Sequence, residues 1–129
     1  MKNILVLITL VGVLLACQSN EKNSVSAGEL TVYFIDKKEE DKAEWLAKYW
    51  HDSNLVTGKD QDIQLSKDEK GRYMVQLIAS DPEQVDKMPF EEQLQLSKLR
   101  ADLQHTGFVG EPVVLAICDN TFNPIIVIE

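Results

Sequence analysis

The chain has 129 residues, with 21 acidic side chains against 13 basic ones and a formal net charge of −8. That acidity excludes nucleic acid as a partner, because no basic patch is present to neutralise phosphates, and it leaves cations or a basic protein face as the electrostatically allowed partners. The length suits one domain with one core, and two cysteines, Cys17 and Cys118, are too few for a disulfide-built scaffold.

Met1-Lys2-Asn3 is a short positive start, and Ile4 to Ala16 is an apolar run interrupted only by Thr9 and Gly12. A membrane-spanning helix needs about 20 apolar residues, so this shorter run has the proportions of a signal peptide. Leu14-Leu15-Ala16-Cys17 resembles the lipobox of bacterial lipoproteins, where an aliphatic residue, a small or aliphatic residue, and then Gly, Ala or Ser precede the cysteine. Leu15 is larger than the residue usual at its place.

The resemblance implies cleavage before Cys17, a diacylglyceryl group on its sulfur and, usually, acylation of the new amine. Each buried CH₂ contributes about 0.8 kcal/mol, so two or three such chains hold a small domain at a bilayer where one would not. The anchor is then the membrane contact, since anionic headgroups repel so acidic a surface. Gln18 is not the aspartate that favours inner-membrane retention in enterobacterial lipoproteins, so the expected address is the cell envelope, outer membrane before inner.

Residues 18–28, polar and small with Val25 the one aliphatic residue larger than alanine, are expected to form a flexible tether with a reach of roughly 20 Å. The resulting organisation is residues 1–16 as signal peptide, 17–28 as lipidated cysteine and tether, and 29–129 as a single globular domain. Leu30 to Ile35 is β-branched and aromatic and is expected to be a central strand. From Glu39 to His51, Ala43, Leu46, Ala47 and Trp50 recur at helical spacing, and Trp45 with Tyr49 forms a second aromatic pair four residues apart.

After a loop from Asp52 to Asp60, Ile63 to Leu65 alternates, Asp68-Glu69-Lys70-Gly71 turns the chain, and Arg72 to Ala79 runs back as a hairpin. Asp81-Pro82 ends that strand. Pro89 opens a second helix whose expected apolar side is Phe90, Leu94, Leu96, Leu99 and Leu103, with Gly107 as its stop. Pro112 to Ile117 is a nearly continuous apolar strand, expected to be buried on both sides or central to the sheet, and Ile125 to Ile128 closes the chain as a last strand.

The order is β-α-β-β-α-β-β. It predicts an α+β fold, a ferredoxin-like split β-α-β sheet with an added C-terminal hairpin strand and both helices on one face.

Chemistry-bearing residues are sparse. His51 and His105 each fall near the end of a predicted helix, where the carbonyl dipole favours a cation, and neither has the neighbours a zinc site requires. The acidic residues from Asp36 to Asp41, and Asp60, Asp62, Asp68 and Glu69, lack the spacing of a calcium loop, so no metal site is expected. Gly107-Phe108-Val109-Gly110 does not follow a strand or open a helix as a phosphate cradle would.

Cys118 continues the apolar run Val113 to Ile117, which favours a buried thiol over an intermolecular bridge or a nucleophile. No catalytic constellation and no cofactor motif is visible. The expected function is therefore a non-enzymatic, membrane-anchored envelope module that binds a protein partner, with Trp45 and Tyr49 as possible contacts. The alternative is a small-ligand-binding or weakly catalytic periplasmic domain whose polar groups converge only in space.

Overall fold

The computed structural model describes residues 23–53, 55 and 60–129. The expected signal peptide, Cys17 and most of the loop expected between residues 52 and 60 lie outside the described residues. Six strands form one sheet: β1 (Asn23–Ala27), β2 (Leu30–Phe34), β3 (Gln61–Lys67), β4 (Tyr73–Ile78), β5 (Val113–Cys118) and β6 (Pro124–Ile128). Helix α1 (Glu40–Asp52) joins β2 to β3, and helix α2 (Phe90–Thr106), preceded by a 3₁₀ run from Pro82 to Lys87, joins β4 to β5.

The α+β class is as expected, but the split β-α-β plan is not. The strands lie in chain order across the sheet. In a split unit another strand separates the two parallel ones, whereas here β2 pairs directly with β3 and β4 directly with β5, each pair parallel. The remaining three pairings are antiparallel. β2 is flanked by β1 and β3, and its alternate residues Leu30, Val32 and Phe34 are buried because they point to the face that α1 covers.

β1 is the strand that composition conceals. Residues 23–27 were expected in the flexible tether, yet they pair with β2 through a two-residue turn in which Gly28 supplies a backbone φ of +62°. Within Ser24-Val25-Ser26-Ala27 the apolar residues alternate, and Val25 and Ala27 pack against the core. Period two, rather than hydrophobic content, makes this a strand.

Both helices deliver their apolar side chains to one core. Ala43, Leu46, Ala47 and Trp50 of α1 and Leu103 of α2 share it with Leu30, Val32, Phe34, Ile63, Leu65, Val75 and Leu115 of the sheet. On α2 the expected stripe is only half used. Leu96, Leu99 and Leu103 turn inward, while Phe90 and Leu94 lie on the opposite side of the helix and are exposed, Phe90 at 76%.

The face of the sheet away from that core carries a short polar track. The Gln64 amide donates to Gln76 Oε1 at 2.8 Å, as does the Ser66 hydroxyl, and Gln76 Nε2 donates to the Phe122 carbonyl at 3.0 Å. Two buried glutamines are tolerated because each finds a hydrogen-bond partner in the other. Cys118 lies on the same face. It is fully buried, and burial, with Asp119 adding to it, pushes its thiol up to about 11, so the sulfur stays protonated at neutral pH.

The β3–β4 hairpin turns where expected. Asp68 Oδ1 accepts from the backbone N–H of Lys70 and of Arg72, Oδ2 takes Arg72 Nε at 2.7 Å, and Gly71 adopts φ +79°. Burial opposes ionisation of Asp68, but the Arg72 hydrogen bonds outweigh it and hold the carboxyl below its ordinary range. A carboxyl with a lowered folded pKa contributes stability above its unfolded pKa and loses it as pH falls through the folded value. Asp68→Asn is therefore expected to be less stable than the parent at neutral pH and to flatten the loss of stability below about pH 4, as measured by urea denaturation across the acid range.

Candidate functional site

The parallel pair β2–β3 ends close to where α1 begins. Polar groups from several elements meet there. Glu39, at the N-terminus of α1, accepts from the Tyr73 hydroxyl at 3.1 Å and lies 3.9 Å from the Lys42 ammonium and 3.8 Å from that of Lys67. Lys42 also lies 3.9 Å from Glu111. Both ammoniums sit over the Tyr73 ring, 5.2 and 4.9 Å from its centroid.

The electrostatics of this cluster favour fixed charges. Burial raises the Tyr73 phenol, with Glu39 reinforcing it against the opposing Lys42. Lys42 is held above its usual value first by hydrogen bonding with Tyr73, then by Glu39 and Glu111. At neutral pH the phenol is neutral and Lys42 is protonated, so the arrangement clamps α1, β3 and β4 together.

Beside the clamp lies a shallow concavity of about 390 Å³ lined by Asp41, Lys42, Trp45, Phe108, Val109 and Glu111. Its floor is aromatic. Phe108, 1% exposed, lies 4.9 Å from the Tyr73 ring and meets Trp45 edge-on at 6.1 Å. Trp45 stacks on Tyr49 at 4.9 Å, and both also line a neighbouring hollow of about 310 Å³. Trp45 and Tyr49 are half-buried, packed against the core with one side open.

The turn after α2 completes the site. Gly107 and Phe108 donate their backbone N–H groups to Leu103, Gly110 donates to Gln104 at 2.8 Å, and Glu111 donates to Phe108. Gln104 Oε1 accepts from Arg100 and from the Val113 N–H, tying α2 to the start of β5. So held, Val109 adopts φ +49° and is 84% exposed. A β-branched residue in the left-handed region is a true outlier, and such strain persists only where the surroundings over-determine it.

Of the residues singled out from sequence, Trp45 and Tyr49 line these hollows. His51 and His105 fall in the last turns of α1 and α2 and line neither hollow. Neither spacing nor composition singles out Glu39, Lys42, Lys67, Tyr73 or Glu111, which are far apart in the chain. The Gly-Phe-Val-Gly tetrapeptide was the available signal, and its glycines serve close packing against Trp45 and a tight turn. Among the described residues no group of three His, Cys, Asp or Glu is arranged to hold a metal ion. No described helix is long and apolar enough to cross a membrane.

Fold and site together define a small α+β domain with a mixed six-stranded sheet, its helices on one core and an aromatic, charge-rimmed hollow at one end of that core. The family model described as AF_1994_N, a family N-terminal domain, matches residues 24–129, and the chain belongs to that family. The match begins within β1, so it takes in the strand together with the rest of the domain. No curated protein and no solved structure matches the chain.

Proposed function

We propose that the protein is a lipid-anchored module of the bacterial cell envelope, held through Cys17, that binds another protein by the face formed by Trp45, Tyr49 and Val109. It acts by contact, with no cofactor. Val109 carries this reading: an apolar side chain is held 84% exposed, in a strained backbone, next to a half-buried tryptophan. Strain at a solvent-facing apolar residue opposes stability and hydration alike, and it makes sense when the side chain is covered by a partner.

Val109→Asn tests this directly. Asparagine tolerates the left-handed region and no burial is lost, so the variant is expected to gain about 1 kcal/mol in urea denaturation. Partner contact should fall at the same time. A photo-crosslinking residue at position 109 should give one stoichiometric adduct in the native envelope, and an equivalent residue on the exposed side of α2 should not. Absence of an adduct at 109 would remove the basis for the contact face. The anchor is tested separately by palmitate labelling, which Cys17→Ser should abolish.

A second reading, a small-ligand-binding domain, has its own support. At the C-terminal ends of β4 and β5 a groove of about 600 Å³ is lined by Leu77, Ile78, Val85, Met88, Leu96 and Ile117. Gln61, in the same wall, has a buried amide oxygen without a hydrogen-bond partner among the described residues. Saturable stabilisation by an apolar amphiphile, abolished by Leu96→Arg, would favour this reading over the first.

A further inference from the structure

The period-two pattern of β3 sets Gln61, Ile63 and Leu65 on one face of the strand. Ile63 and Leu65 are fully buried in the core, so Gln61 is a polar residue where the pattern asks for an apolar one. Its backbone N–H donates to the Glu29 carbonyl at 3.0 Å, but its amide oxygen is buried and accepts from no group among the described residues. Gln64 and Gln76, on the other face, are buried too, yet they are hydrogen-bonded to each other. A buried acceptor left unpaired costs stability, and residues that break the pattern of their own strand are expected at functional sites.

Gln61 lines the groove of about 600 Å³ together with Leu77 and Ile117, which the strand pairing places on the same face of the sheet. Val85, Met88 and Leu96 add apolar walls, and the volume falls in the range of about 300–1,000 Å³ usual for small-molecule sites. Among the described lining residues the carboxylates of Asp81 and Glu92 outnumber the ammonium of Lys87, and Asp81 makes no capping hydrogen bond to the 3₁₀ run that follows it. The positive end of α2 is already compensated by Glu91 and Glu92 in its first turn. The groove therefore offers an apolar body its walls and a donor head an acceptor, and it repels an anionic head.

We propose, resting on the ligand-binding reading of this groove, that its occupant is an amphiphilic amine whose alkyl chain lies along the apolar walls and whose ammonium donates to Gln61 Oε1. The carboxylates of Asp81 and Glu92 balance its charge. The groove shares no lining residue with the hollows at Trp45, so a ligand there leaves the contact face free.

The full chain, held in discs of zwitterionic phospholipid, is titrated by calorimetry with octylamine and with octanoate, empty discs serving as the blank. At neutral pH the amine is protonated and the acid ionised. Octylamine should bind saturably, one per chain, and about tenfold or more tightly than octanoate. Gln61→Leu should weaken octylamine about tenfold while leaving the thermal midpoint of the free protein unchanged or raised, because an apolar group replaces an unpaired acceptor. Gln61→Glu keeps the shape, adds a charge and should tighten octylamine. If neither amphiphile binds, the groove is no ligand site and the amine assignment falls with it. If octanoate binds as tightly as octylamine, or Gln61→Leu leaves octylamine binding unchanged, the ligand site stands and the amine assignment is overturned.

Discussion

Gly107→Ala is expected to destabilise the domain by about 3 kcal/mol, a large loss for a single methyl group. Gly107 has φ −96° and ψ −33°, a conformation alanine adopts freely, so the backbone is not the cause. The cause is steric. The position a Cβ would take is already filled by the Trp45 ring. That ring has little room to retreat, because Tyr49 stacks on it at 4.9 Å and Phe108 meets it at 6.1 Å.

Overpacking of this kind shows itself by non-additivity, so the informative measurement is a double-mutant cycle in urea denaturation. Trp45→Leu alone should destabilise by loss of aromatic packing, while Gly107→Ala in the Trp45→Leu background should cost much less than in the parent. If the two losses simply add, or if Gly107→Ala stays within about 0.5 kcal/mol of the parent, close approach of the ring is not what requires glycine here.

Phe108→Ala should cost about 3–5 kcal/mol, the range for deleting a fully buried aromatic side chain. Phe108 is 1% exposed and joins the core to the candidate site through Tyr73 at 4.9 Å and Trp45 at 6.1 Å. Removal therefore acts twice: it opens a cavity, and it takes away the surface that holds the Tyr73 hydroxyl against Glu39. Near-UV circular dichroism should change with it, reporting the freed aromatic rings, and Phe108→Leu should retain most of the stability. Val109→Asn, one residue along, is expected to move stability the other way. A loss at Phe108→Ala below about 1 kcal/mol would mean that the hollow collapses without cost and that its floor is not a rigid platform.

The contrast between these neighbours bears on the proposed partner. Phe108 and Gly107 are required by packing, whereas Val109 stands in a strained backbone and is expected to make the domain less stable. A position whose improvement costs contact with a partner is what a binding face looks like in free-energy terms.

Local order was legible in the sequence wherever a periodic pattern ran on one element. The spacing of Ala43, Leu46, Ala47 and Trp50 determined α1 and its buried face, the Asp68–Gly71 turn determined the β3–β4 hairpin, and the continuous run Val113–Cys118 determined a strand buried along its whole length. Cys118 followed from that run. These features depend on interactions a few residues apart, which sequence spacing reports directly.

Pairing and convergence were decided only by the tertiary structure. Whether β2 pairs with β3 directly or across an inserted strand depends on which edges are left free, and the small polar strand β1 settles one of them by occupying the other side of β2. Phe90 and Leu94 looked like core but face outward, because the helical repeat sets them on the side of α2 opposite Leu96, Leu99 and Leu103, and only packing against the sheet decides which side is buried. Glu39, Lys42, Lys67, Tyr73 and Glu111 come from four stretches of chain, and their meeting is a property of how the elements pack. Short-range periodicity carries no information about that, since the same strands and helices can be assembled in more than one order.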